Sequence, residues 1–293
     1  DYQRSRGLGD VYKRQRYIFK NLYFNYLLSF LFIVLTSCKS DKINYPITAK
    51  KPVTDVYFGH KVEDNYRWLE NDLSAETEEW VKKQNQTTFK YLNQIPFRED
   101  LKRRLLKLLN YEKISAPLKK GEYTYFYKNS GLLDQSILYR NLDNQEPEVF
   151  IDPNKFSPDG TTSLAGVSFS KDVSLVAYSI SEGGADWRKV IVMNTETKEL
   201  VGDTINNVKF SVISWKSNEG FYYSSYESPE GSKLSSKTDQ HMLYYHKLGT
   251  RQKSDRVIFG ALPSEKNRYV RGYVTDDNRF LVIDAAVKTT GNK

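Results

Sequence analysis

The sequence predicts a mainly β fold, a partial β-propeller of about three blades preceded by a helical segment. Three observations carry that reading. Aromatic residues make up 14% of the chain, with 22 Tyr and 15 Phe, and flat rings pack more readily on pleated surfaces than in helical bundles. From Gly121 onward the apolar period becomes two, the period of a half-buried strand. A loose repeat runs through these strands, in which a polar turn leads into an aromatic or aliphatic run: Ser170-Lys171-Asp172, Ser217-Asn218-Glu219-Gly220 and Thr275-Asp276-Asp277. The intervals between these turns, 47 and 58 residues, are near the blade length of a kelch-like propeller. A sandwich with irregular loops is the plainer architecture that fits the same pattern.

The elements follow in order. Between Ser74 and Ile95, Glu76, Glu78 and Glu79 cluster in a first turn behind a Ser cap, where acids offset the positive end of the helix dipole. Val81, Thr88, Leu92 and Ile95 fall on one face of that helix. A second helix is predicted from Arg98 to Asn110, with Leu101, Leu105 and Leu108 in one apolar stripe, and Pro96 separates the two. Short strands are then predicted at Tyr123–Tyr127, Ser136–Arg140, Leu175–Ser179, Val190–Met193, Phe221–Ser224, Met242–Tyr245 and Phe280–Ile283. Gly, Asn, Asp or Pro bounds each of them.

Composition excludes several classes. The chain has 293 residues and is 39% apolar, too apolar for disorder. Its one Cys forbids an internal disulfide framework or a Cys-based zinc site. The net charge of +8 divides into +4 over residues 1–37 and +4 over the remaining 256 residues. No Lys/Arg block is dense enough to track phosphates, so nucleic-acid binding is not expected.

The basic start leads into the nine-residue apolar run Leu27–Leu35 and then Thr36-Ser37-Cys38. That run is too short for a bilayer-spanning helix but fits a signal-peptide core. Leu35-Thr36-Ser37-Cys38 resembles the bacterial lipobox, which makes Cys38 the expected site of lipidation and the protein a periplasmic or surface lipoprotein of the bacterial cell envelope. The plainer alternative is a free thiol after a buried apolar segment. The chain opens without Met, the first being Met193, and residues 1–15 read as translated non-coding sequence, so a partial reading frame is expected.

Signatures of catalysis are sparse. Gly166-Val167-Ser168-Phe169-Ser170 lacks the second Gly of a nucleophile elbow, and there is no His-Glu-x-x-His or Walker loop. His60, His241 and His246 are the only imidazoles, and no local pattern pairs them with a strained Ser. His246, at a predicted strand end, and His60, in a turn-like context, are expected to be structural. No cofactor and no metal site are expected, and no catalytic residue is assigned.

Specific strings then change the reading. Val62-Glu63-Asp64-Asn65-Tyr66-Arg67-Trp68-Leu69-Glu70, Trp80-Val81 and Gln84-Asn85 resemble the N-terminal segment of the prolyl oligopeptidase family of serine peptidases. In the same order come Asn110–Lys113, Gly131–Gln135 with Leu138-Tyr139, Asp152–Asn154 with Ser157–Thr161, and Gly184–Trp187. Val208–Ser211 with Trp215, and Tyr244–Thr250 with Gln252 and Asp255, complete the set. The resemblance covers about Tyr45 to Lys293. It implies a seven-bladed propeller capping an α/β-hydrolase domain, with an N-terminal segment packed on that domain. The implied organisation is a leader at 1–37, a tether at 38–44, an N-terminal helical segment at 45–115 and an incomplete propeller at 116–293.

The implied chemistry is acyl transfer: a Ser attacks the carbonyl after proline, a His moves the proton, an Asp orients the His and an oxyanion hole holds the charge. In the family those groups lie in the C-terminal domain, so none is named in this chain. By resemblance, Phe210 matches an aromatic residue of the substrate pocket, and Asp186 matches an acid facing a substrate-binding Arg of the hydrolase domain. Tyr269 and Thr289 fall near two further cavity positions. The plainer readings are a blade-core residue for Phe210 and a turn Asp for Asp186. Asn65 stands where the family usually has Pro, and Val173 where the blade turn usually has Gly. The implied partners are short proline-containing peptides, the C-terminal α/β-hydrolase domain, and a membrane through the lipid anchor. The competing readings are a non-catalytic, membrane-tethered propeller that binds a peptide or surface partner, and a dipeptidyl peptidase. The latter would need a helix-borne acidic pair, and Glu78-Glu79 is explained by the dipole.

Overall fold

A computed structural model describes residues 43–227 and 238–289 of the chain. The chain divides into two compact units, Asp1–Pro46 and Ile47–Lys293. All the elements below belong to the second, and Cys38 with its apolar leader lies outside the described residues.

Ile47–Lys293 opens with a hairpin of β1 (Val53–Tyr57) and β2 (His60–Asp64). Phe58 and Gly59 form its turn with φ of 51° and 84°, the pair of positive values that a two-residue hairpin turn requires. His60 is therefore the first residue of a strand, opposite Tyr57. Helix α1 (Ala75–Leu92) follows, capped as expected by Ser74, whose hydroxyl accepts the Thr77 N–H at 3.1 Å. Helix α2 (Arg98–Leu109) is also where the apolar stripe predicts it.

Three sheets and a hairpin come next, all antiparallel between sequence neighbours. The first sheet holds β3 (Lys113–Ile114), β4 (Leu118–Lys120), β5 (Tyr123–Asn129), β6 (Ile137–Asn141) and β7 (Glu148–Ile151), with β3 and β4 both paired to β5. The second holds β8 (Thr162–Phe169), β9 (Leu175–Glu182), β10 (Trp187–Asn194) and β11 (Ile205–Lys209). The third holds β12 (Ser214–Lys216), β13 (Gly220–Ser225), β14 (Met242–Lys247) and β15 (Arg256–Phe259). A hairpin of β16 (Tyr269–Val274) and β17 (Leu281–Ala286) starts a fourth. Among the described residues the sheets do not close into a ring, and the architecture is a mainly β, partial propeller of about three blades.

Burial between neighbouring sheets decides for a propeller over a sandwich. Tyr125, Leu138, Phe150 and Ile151 of the first sheet pack on Val176, Tyr178 and Met193 of the second. Val190, Val192, Ile205 and Val208 of the second pack on Trp215, Phe221 and Tyr223 of the third. Leu243 of the third packs on Val270 and Ala285 of the hairpin. Each fully buried aliphatic or aromatic side chain contributes roughly 1.5–3 kcal/mol, so each blade is stabilised mainly through the next one. Lys120 of β4, Ser168-Phe169 of β8, Ser214-Trp215 of β12 and Asp276 of the β16–β17 turn line a common cavity of about 420 Å³.

The repeated polar turns are the β8–β9, β12–β13 and β16–β17 connections, and they bond to one another. Asn218 donates to the Asp172 carboxylate. The Ser217 N–H donates to Asn278 Oδ1 at 3.1 Å, and Lys171 Nζ to Thr275 O at 3.3 Å. Val173, where glycine is usual, indeed adopts φ 67°. A β-branched residue there costs roughly 1–2 kcal/mol. Asp172 offsets part of that by accepting from Ser170 Oγ, Ser174 N and Ser174 Oγ at 2.8–3.0 Å.

A candidate peptide-facing wall

The strand ends of three blades meet at a small cluster of rings. Phe210 follows the last residue of β11 with φ 52° and is 37% exposed. Its ring stands 5.9 Å from Tyr269, at 61°, and 6.3 Å from Tyr226, at 86°. Both are edge-to-face arrangements, which ring quadrupoles favour. The backbone strain of a phenylalanine at positive φ, roughly 1–2 kcal/mol, is held by tertiary contacts rather than by local preference. A blade-core residue would be buried; Phe210 presents part of a flat apolar face to solvent.

Lys209 precedes Phe210 and lies across from Trp187 in the β10–β11 register. Its side chain is buried, and its ammonium stands 4.9 Å over Trp187 and 5.2 Å over Phe210. Asp186 is exposed beside Trp187, at the end of the β9–β10 turn made by Gly183 and Gly184 at φ 60° and 73°. Hence Phe210 and Tyr269 are in contact, and Asp186 sits on the loop whose next residue pairs with Lys209. Thr289 is exposed, three residues beyond the end of β17, and no described contact joins it to the rings.

Two further residues complete the cluster, and sequence reasoning passes over them. Tyr226 is buried, donates its hydroxyl to Arg268 O at 2.6 Å, and packs against the His241 ring at 4.4 Å with a tilt of 31°. Burial, with the neighbouring Tyr269, pushes its phenol up to about 12. His241 has no exposed surface. Its Nε2 bonds Lys209 O at 2.9 Å, and its Nδ1 accepts the Val270 N–H at 2.8 Å. Burial, outweighing the bond to Lys209 O, lowers its pKa to about 4, so the ring is neutral with its proton on Nε2. Neither is marked in the sequence, because their hydrogen-bond partners are backbone atoms.

His246 is the structural residue the sequence predicts. It is buried beside Asp255, Nδ1 to Oδ1 at 2.8 Å, and Tyr223 donates to the other carboxylate oxygen at 2.9 Å. Burial, reinforced by Asp255, raises the Tyr223 phenol far above its ordinary value. Among the described residues no serine hydroxyl contacts an imidazole, and no group of three or more His, Cys, Asp or Glu side chains converges as for a metal ion.

Antiparallel blades packed face to face, with an aromatic wall at their strand ends, define a β-propeller domain. Residues 45–293 match the model of the prolyl oligopeptidase N-terminal β-propeller domain. The chain belongs to the prolyl oligopeptidase family. It is 53% identical over 266 residues to a prolyl endopeptidase of Elizabethkingia miricola, covering 90% of this chain and 38% of that protein. It is 32% identical to prolyl oligopeptidase A of Amanita bisporigera, covering 80% of this chain and 36% of that one. Prolyl oligopeptidase B from Galerina marginata, solved with a 35-residue substrate, superposes with a TM-score of 0.68 at 27% identity, over 84% of this chain and 38% of that one. The chain thus spans little more than a third of the length of the curated relatives it matches.

Proposed function

We propose that this chain is the N-terminal part of a serine endopeptidase that hydrolyses short peptides on the carboxyl side of proline. In this reading the propeller excludes folded proteins and supplies one wall of the substrate cavity. The observation that carries it is the partly exposed Phe210–Tyr269 pair, held at 5.9 Å in a domain of this family. A flat apolar surface suits a peptide side chain near proline, and Asp186, exposed in the turn just before β10, would face a cation from the hydrolase domain. The serine, its base and the oxyanion hole belong to that domain, so the 293 residues alone are expected to be inactive. The N-terminal segment, residues 45–115, would pack on it. Lipidation at Cys38 would tether the enzyme at the cell envelope, each buried acyl methylene contributing roughly 0.8 kcal/mol.

The test is hydrolysis of a chromogenic glycyl-prolyl reporter by the product of the whole gene and by the 293-residue chain. The expected result is turnover by the first and none above buffer by the second. In the whole product F210A should raise KM about tenfold, the worth of one good apolar contact, with kcat little changed. Turnover by the isolated chain, or no turnover by the whole product, would sink the reading.

A further inference from the structure

Three sheets bring strand ends to the ring cluster, and a single side chain joins them. His241 lies just before β14 of the third blade. Its Nε2–H donates to Lys209 O at the end of the second blade, and its Nδ1 accepts from Val270 N in the fourth. Its own backbone N–H donates to Asn267 O at 2.8 Å. The two bonds of the ring fall on particular peptide groups. The Lys209 carbonyl belongs to the peptide unit that enters Phe210, and the Val270 N–H to the unit that leaves Tyr269. The imidazole therefore holds the backbone on one side of each wall residue, at the point where Phe210 adopts its left-handed φ of 52°.

A histidine that only braced its own blade would bond within that blade, as His246 does with Asp255 in the third. His241 instead spends both ring nitrogens on neighbouring blades. Tyr226 seals its face at 4.4 Å and fixes the Arg268 carbonyl, one residue before Tyr269, through its hydroxyl. Because a neutral imidazole offers one donor and one acceptor on opposite parts of the ring, it can join a carbonyl to an N–H without leaving either buried group unpaired. We infer that His241 is a positioning residue: by tying together the peptide units that flank Phe210 and Tyr269, it sets the separation of the two rings, and through it the peptide side chain that the wall accepts. The second clause rests on the function proposed above; the first does not.

Two substitutions separate this role from mere bulk. H241L keeps an apolar side chain and removes both polar edges, whereas H241Q keeps one donor and one acceptor. The first measurement uses the 293-residue chain with labelled Phe and Tyr rings and reads the Phe210–Tyr269 inter-ring NOE. It should be lost in H241L and kept in H241Q. The second uses the whole gene product and compares kcat/KM for two prolyl peptides that differ only in a Phe or a Gly at the residue reaching the wall. The Phe:Gly ratio should fall about tenfold in H241L and stay within about twofold of wild type in H241Q.

Retention of the NOE in H241L, or an unchanged ratio while wild type turns over, would overturn the inference. Should H241L fail to fold, H241Q decides: a folded H241Q without the NOE, or with the ratio lost, is equally fatal. If wild type cleaves neither peptide, the proposed function fails, and the NOE alone judges the positioning role.

Discussion

The blades and the N-terminal helices both carry regular apolar patterns, of period two and of helical spacing respectively, and meet different fates. In the third blade Phe221 is wholly buried between Trp215, at 5.3 Å, and His246, at 5.3 Å. In α2 the stripe forms as the spacing predicts, yet no residue of the helix is buried, and Leu101, Leu105 and Leu108 are 51%, 47% and 53% exposed. α1 buries only Thr77. The difference teaches that an amphipathic helix and a blade strand are equally legible locally, whereas burial depends on what lies opposite. The blades find their partners in one another. The helices have an apolar face that the described residues leave uncovered, which is the face the proposed hydrolase domain would meet.

The comparison can be broken or sharpened by mutation. F221A should cost about 3–5 kcal/mol by urea denaturation, the usual price of emptying a buried aromatic site. L105A in α2 should cost under about 0.5 kcal/mol in the 293-residue chain; equal costs would erase the contrast. The next effect is a pH dependence. His241 has its pKa lowered to about 4 in the folded chain from an ordinary 6.5. The unfolded chain therefore binds the proton first. This site's stability is fully present above pH 6.5 and is lost as pH falls from 6.5 towards 4, on the order of 3 kcal/mol. H241Q should flatten that part of the stability profile. G220A should cost roughly 1–3 kcal/mol, because a Cβ there would lie 2.1 Å from the His246 carbonyl oxygen across the strand pair. V173G acts in the opposite direction and is expected to stabilise the chain by about 1 kcal/mol by relieving the positive φ. A loss there would mean that the packing of the Val173 side chain outweighs the strain.

The elements that can be read from the sequence are those with strong aromatic or aliphatic runs: β5, β6, β9, β10, β13, β14 and β17, with α1 and α2. β8 and β16 were passed over because Gly166 and Gly272 dilute their patterns, and β12 because three residues show no period. Two of the strings that resemble the family supply contacts between blades. Gln135 donates to Thr162 O at 2.6 Å and accepts from Leu164 N, linking the first blade to the second. Trp215 donates to Ser168 O at 3.0 Å, linking the third to the second. Phe210 and Tyr269 were reachable through resemblance, but their contact was not, since 58 residues separate them and only the blade geometry unites them. His241 was illegible because its two partners are backbone atoms, and backbone atoms leave no trace in residue types.

The most direct test of the central claim, that the blades own their core while the helices present a face to another domain, is hydrogen exchange on β13 and α2. The 293-residue chain and the whole gene product would be compared. In the chain alone, β13 amides should exchange only with global unfolding, and α2 amides should exchange far faster through local opening. In the whole product α2 should gain protection approaching that of β13. Equal protection of α2 and β13 in the chain alone, or no gain for α2 in the whole product, would contradict the account.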